Sequence, residues 1–160
     1  MTTEEMVVCL RAYFEEREEV VVAYLFGSVA RGRAGTLSDI DVAILVDESL
    51  IRPMRYGYRA NVLTDLMGRL HTNKVDLVVL NKASPLLAHE VVRNGKLVFC
   101  RDPDRRVAFE TDAFRRYVDT EPLRRIQAQY LERRIAEGKF GLGSLEAKAT
   151  EAAHLGANDV

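Results

Sequence analysis

Residues 20–46 read VVVAYLFGSVARGRAGTLSDIDVAILV, and the two ends of this stretch differ in kind from its middle. The first seven residues form a continuous apolar run rich in β-branched and aromatic side chains, the pattern of a strand covered on both faces. The last eight, DIDVAILV, alternate with period two. Asp39, Asp41, Ala43 and Leu45 share one face, and Ile40, Val42, Ile44 and Val46 share the other. The second set belongs in a core, which leaves two carboxylates at the start of the opposite face. Between the runs lies a Gly/Arg-rich loop that begins at Gly27-Ser28 and continues through Arg31-Gly32-Arg33-Ala34-Gly35.

Outward from this stretch the periodicity changes. Upstream, Thr2-Thr3-Glu4-Glu5 is a capping box, and Met6, Leu10 and Phe14 recur at helical spacing, so an amphipathic helix is expected over 4–18. Downstream, Pro53 suits the first turn of a helix striped by Met54, Tyr58, Val62, Leu66 and Leu70 and ending near His71. VDLVVL (75–80) reads as a third strand with Asp76 near its start. Ser84-Pro85 opens a further helix that Asn94-Gly95 closes, and LVFC (97–100) makes a fourth strand. From Pro103 to Lys139 the chain reads as helical, with Val107, Thr111, Phe114 and Val118 lining the first half. Leu123, Ile126, Tyr130 and Ile135 line the second, and Pro122 marks a break between them. After Gly141 apolar periodicity fades, so that segment is expected to be mobile or weakly helical. The expected fold is α/β (α+β): a small mixed sheet flanked by helices (1–102), a helical C-terminal extension packed on it (103–140), and a tail (141–160).

Composition narrows the function. The chain has 160 residues, 48% hydrophobic and 29% charged, with a net charge of −1. That suits one globular domain and gives no global attraction for nucleic acid, so direct nucleic-acid binding is not expected. No apolar run approaches a membrane span, and Glu4 and Glu5 stand where a signal peptide would carry positive charge, which places the protein in the cytoplasm. Cys9 and Cys100 lack metal-ligand spacing and read as small hydrophobes. His71, His89 and His154 share no ligand spacing. The arginine pairs at 105–106, 115–116, 124–125 and 133–134 alternate with acids and read as solvated helix surface.

The chemistry concentrates at the strand ends. Residues i and i+2 on a strand project the same way, with Cα atoms about 6.6 Å apart. Asp39 and Asp41 held so close repel one another, and a bound divalent cation resolves that repulsion. With oxygen ligands the natural ion is Mg²⁺, which shares its coordination with phosphates. Asp76 adds a third carboxylate at a strand start, and three such groups suit a two-ion clamp for displacement at phosphorus. Gly27-Ser28, where a strand gives way to a helical turn, leaves backbone N–H groups free for an anion, with the Ser28 hydroxyl as a further donor. Arg31 or Arg33 would add charge to the same pocket, and Ser38 completes the expected nucleotide-binding set.

Gly27-Ser28, ten intervening residues and then Asp39-Ile40-Asp41 resemble the signature of the polymerase-β-like nucleotidyltransferase superfamily. The GSVARG, SDIDVAIL and KVDLVVL wording is similar to that of the minimal nucleotidyltransferases (MNT proteins). The stretch from Phe109 to Tyr130 is similar to the C-terminal part of MNT antitoxins, which are paired with HEPN-domain toxins. The resemblance spans roughly residues 20–135. It implies that Asp39 and Asp41 bind two Mg²⁺ ions, that Asp76 is the third acid, and that Gly27 and Ser28 hold the phosphates of ATP. It further implies an antitoxin that transfers AMP to a tyrosine of a HEPN ribonuclease toxin, the expected partner. Three alternatives stand beside it: a small-molecule acceptor such as an aminoglycoside, a binding-only antitoxin, and nucleic-acid extension, which the charge disfavours.

Overall fold

The computed structural model of the protein describes residues 2–32 and 38–137. The first helix, α1 (Thr3–Glu15), is capped as the sequence predicts: the Thr2 hydroxyl accepts from the Glu5 backbone, and the Glu5 side chain returns to the Thr2 backbone. There follow β1 (Val20–Phe26), a single helical turn α2 (Gly27–Ala30) and β2 (Ile40–Val46). A 3₁₀ turn at Glu48–Leu50 leads to α3 (Tyr58–Leu70), β3 (Val75–Val79), α4 (Pro85–Asn94), β4 (Lys96–Cys100), α5 (Pro103–Asp119) and α6 (Glu121–Ala136). Leu80, expected in the third strand, instead opens a 3₁₀ turn.

The sheet has the order β3-β2-β1-β4, with β1 antiparallel to β2 and β4, and β2 parallel to β3. This is the expected mixed sheet. One face carries Leu10 and Phe14 of α1 and Val62, Leu66 and Leu70 of α3 against Ile40, Val42, Ile44 and Val46 of β2. The other face packs Ala43 and Leu45 of β2 with Val91 of α4 and Phe109 of α5. The period-two alternation of DIDVAILV therefore divides between two cores. Valine 21 is an extra residue in β1, because Val20 pairs with Val46 and Val22 with Leu45. The bulge turns Val21 and Val22 to the same core.

Two expectations are corrected. Residues 53–57 are not helical: α3 starts only at Tyr58, because Gly57 sits at φ +82, a conformation a helix cannot pass through. Met54 is consequently exposed. The stripe expected to line α5 faces solvent, with Val107, Phe114 and Val118 all exposed. The inward face is Phe109, Glu110, Ala113 and Tyr117. Tyr24 of β1 donates its hydroxyl to Glu110 Oε1 at 2.7 Å, and His89 of α4 stacks on Tyr117 with ring centroids 3.8 Å apart. Helix α5 is thus fastened by Phe109 and Ala113 and also by a hydrogen bond and a ring stack, which a hydrophobicity pattern does not register.

The chain divides into two compact units, Met1–Val118 and Asp119–Val160. The described part of the second is mainly α6, on which Leu123, Ile126, Tyr130, Leu131 and Ile135 are all exposed. Pro122 lies in its first turn, at the predicted break. Arg33, His154 and the segment after Gly141 lie outside the described residues. Cys9 and Cys100 are free thiols at the margins of the two cores. His71 takes the left-handed conformation that ends α3. Several of the paired arginines meet acids on their own helix, Arg106 with Glu110, Arg115 and Arg116 with Asp112, and Arg125 with Glu121. Among the described residues no helix is long and apolar enough to cross a membrane.

Candidate active site

The site lies where β1 ends and β2 and β3 begin. Phe26 pairs with Asp41 across the antiparallel ladder, and Asp41 pairs with Asp76 across the parallel one. Neighbouring strands lie about 4.8 Å apart, so these registers bring the Gly27 turn and two carboxylates onto one edge of the sheet. Asp39 stands just before β2 and is exposed, and Asp41 is half-buried.

Gly27 is the tightest point. Its φ of +73 is one that L side chains rarely adopt, and a Cβ added there would fall 2.0 Å from Asp41 Oδ2. Glycine is therefore required twice, once for the turn from β1 into α2 and once to admit the carboxylate. Asp41 in turn holds a raised pKa, first because burial penalises its charge and then because Asp76 and Asp39 are both negative and near. A site that crowds three acids against a glycine backbone pays electrostatically for its shape, and a cation with hard-oxygen preference relieves that cost.

Ser28 follows Gly27 in α2, half-buried, and Ser38 is half-buried just before β2. Arg31 reaches elsewhere in this structure: its guanidinium is paired with Glu90 of α4. Asp76 has a partner that the sequence did not disclose. Arg59, in the first turn of α3, donates from Nη2 to Asp76 Oδ1 at 2.8 Å and from Nε to the Leu77 carbonyl at 2.7 Å. The Leu77 N–H also donates to Asp76 Oδ1, at 2.8 Å. The one available signal was a cation in the first turn of a helix, where the helix dipole disfavours it and an anionic partner is needed. Among the described residues, no three acidic, imidazole or thiol groups already converge closely enough to grip an ion. The carboxylates adjoin one another but are not drawn in around a centre. Their chemistry still fits Mg²⁺: all are hard oxygen donors, and the middle one is crowded by like charge.

Residues 9–104 match the family model described as polymerase beta, nucleotidyltransferase. The chain belongs to the polymerase β nucleotidyltransferase family. Gly27, Ser28, Asp39, Asp41 and Asp76 all fall inside the matched span. Among members of known name, the chain is 36% identical over 80 residues to the protein adenylyltransferase MntA of Aphanizomenon flos-aquae, covering 47% of this chain and 53% of that one. It is 35% identical over 81 residues to the MntA of Shewanella oneidensis, covering 51% and 55%. The chain thus spans about half the length of the curated relatives it matches. A crystal structure of a toxin–antitoxin with AMP-PNP contains a chain of the same fold, with a TM-score of 0.65, 24% identity, and coverage of 82% of this chain and 99% of that one. A tri-AMPylated Shewanella oneidensis HEPN toxin in complex with MNT antitoxin contains another, with a TM-score of 0.56, 23% identity, and coverage of 81% and 95%.

Proposed function

We propose that this protein is a Mg²⁺-dependent nucleotidyltransferase that transfers AMP from ATP to a tyrosine hydroxyl of a HEPN-domain toxin and thereby silences it. The observation that carries the reading is the register that sets Phe26 beside Asp41 and Asp41 beside Asp76, joining the Gly-Ser turn to two acids with Asp39 just upstream, in a chain of this family. The relatives named protein adenylyltransferase support the reaction class. The likeness of fold to chains from toxin–antitoxin complexes supports the partner.

In this mechanism the bare backbone of Gly27 lets the triphosphate approach closely, and the Ser28 hydroxyl donates a hydrogen bond to it. Asp39, Asp41 and Asp76 would hold Mg²⁺, which when bound would neutralise phosphate charge and lower the pKa of the acceptor hydroxyl. Asp76, at the entry of the outer strand β3, serves in this reading as the acceptor of that hydroxyl's proton. The tyrosine oxygen attacks the α-phosphorus in line, the bond to the bridging oxygen breaks, and pyrophosphate departs. The protein contributes mainly orientation and fixed charge. Exposed apolar side chains on α5 (Val107, Phe114) and, separately, on α6 (Leu123, Ile126, Tyr130) support a protein acceptor, since apolar helix faces of this kind suit docking.

The test is mass spectrometry of the product of the neighbouring gene after incubation with the protein, ATP and Mg²⁺. One or more adenylyl units on a tyrosine are expected, and none with Asp39→Asn. An unmodified partner alongside adenylylation of an aminoglycoside would transfer the reading to small-molecule acceptors.

A further inference from the structure

Arg59 belongs to α3 but its contacts belong to β3. Lys74 turns its carbonyl to β2, where the Ile40 N–H donates to it at 2.9 Å. By alternation Leu77 turns both its backbone groups to the free edge of the sheet, since β3 is the outermost strand. Those two groups are closed by Arg59 Nε on the carbonyl and by Asp76 Oδ1 on the N–H, and the second arm of the guanidinium joins Asp76 Oδ1 to complete the ring. One oxygen of the third acid is thereby committed twice. The arrangement also answers a need of α3: its first turn has no acidic side chain, and its cap, Gly57, makes no side-chain bond. A lone cation at that helix end is unfavourable, and Asp76 offsets it.

The lock is a light one. Both side chains are 56% exposed. A cleft of about 740 Å³, lined by Tyr56, Tyr58, Arg59, Leu77, Lys82 and Leu87, lies beside them and gives the guanidinium somewhere to go.

Resting on the nucleotidyltransferase reading, we propose that Arg59 is a positioning residue that holds Asp76 against the edge of β3 and competes with the divalent cation for its carboxylate. The three-acid set then closes only when Arg59 releases Asp76. Release by the incoming cation makes ion binding and the seating of the third acid a single event.

The test uses the full chain without nucleotide and Mn²⁺ as probe, with free Mn²⁺ read by electron paramagnetic resonance. Arg59→Gln is expected to tighten Mn²⁺ binding about 1.5- to 5-fold, the range expected for losing a half-exposed ion pair. In an Asp76→Asn background the same exchange should change nothing. Arg59→Lys, which keeps the charge but cannot span both Leu77 and Asp76, should fall between wild type and Arg59→Gln. Equal tightening in both backgrounds would mean a through-space charge effect and would overturn the proposal, as would unchanged affinity in Arg59→Gln. If Mn²⁺ binds the wild type, is lost in Asp41→Asn and ignores Arg59→Gln, only the role of Arg59 falls. If neither wild type nor Arg59→Gln binds Mn²⁺, the nucleotidyltransferase reading falls with it.

Discussion

Replacing Gly27 with alanine adds one carbon at the most constrained point of the site. The backbone cost comes first: holding an L residue at the φ of +73 found there costs about 1–2 kcal/mol. In a unit of this size that lowers the melting temperature by roughly 4–10 °C. The second effect is local. The new Cβ would lie 2.0 Å from Asp41 Oδ2, where ordinary contact begins at 3.4 Å, so the carboxylate must withdraw by more than an ångström. A displacement of about 1 Å among reacting groups can cost about 100-fold in rate. Gly57→Ala is the matched control, because Gly57 has a φ of +82 with nothing within 4 Å of its Cβ position. Both variants should lose stability, Gly57→Ala through backbone strain alone at φ +82 and ψ 155, while only Gly27→Ala should lose transfer. The assay is adenylylation rate at a temperature well below both melting points, with folding verified by circular dichroism. Transfer by Gly27→Ala within about tenfold of wild type, or an equal loss in Gly57→Ala, would refute the assignment of Gly27 to the site.

Asp41→Asn should abolish transfer and yet stabilise the protein at neutral pH in the absence of divalent cations. The raised pKa of Asp41 means the folded state holds its proton more tightly than the unfolded state, so wild-type stability falls as pH rises through the window above the ordinary carboxylate value. The advantage of the variant, measured as a difference in melting temperature in EDTA, should shrink as pH falls through that window and vanish below it; a difference constant with pH would contradict the electrostatic account. Tyr24→Phe should cost about 1 kcal/mol by removing the hydrogen bond to Glu110, while leaving transfer intact, as read by thermal denaturation and the same rate assay. Burial holds the Tyr24 phenol protonated, so that loss should be independent of pH through the neutral range.

Much of the strand edge that carries the candidate site was readable in advance because it is written in period two. DIDVAILV places its acids and its core residues by simple alternation, and Gly27-Ser28 announces the end of β1 by a change of residue type. The features that escaped are those whose cause lies far along the chain. The bulge at Val21 is invisible inside a run of identical apolar letters. Pro53 signalled a helix start, but Gly57 competed and won, moving the start to Tyr58. On α5 the apolar stripe pointed outward because Tyr24 and His89, distant in sequence, selected Glu110 and Tyr117 instead. Arg59 escaped for the same reason, and Arg31, expected near phosphate, is paired in this structure with Glu90. Gly95 was read correctly as the end of α4, but for a different reason than a left-handed cap: its φ is −77, and a Cβ there would meet the Val91 carbonyl at 2.4 Å.

The mixed character of the sheet has a consequence for how the protein comes to life. Because β1 and β2 are antiparallel, the exit of one meets the entry of the other as soon as the hairpin closes. Because β2 and β3 are parallel, the entry of β3 arrives at the same edge only after the chain has travelled the length of α3 and returned. The hairpin is a short-range closure, whereas the crossover is a long-range one whose loop entropy is met late in folding. A nascent chain that has emerged only as far as α3 therefore carries two of the three acids and no working site, and a proteolytic nick within α3 would unlink the third from the others. Assembly of the three-acid edge is, in that sense, a report that β3 has closed onto β2.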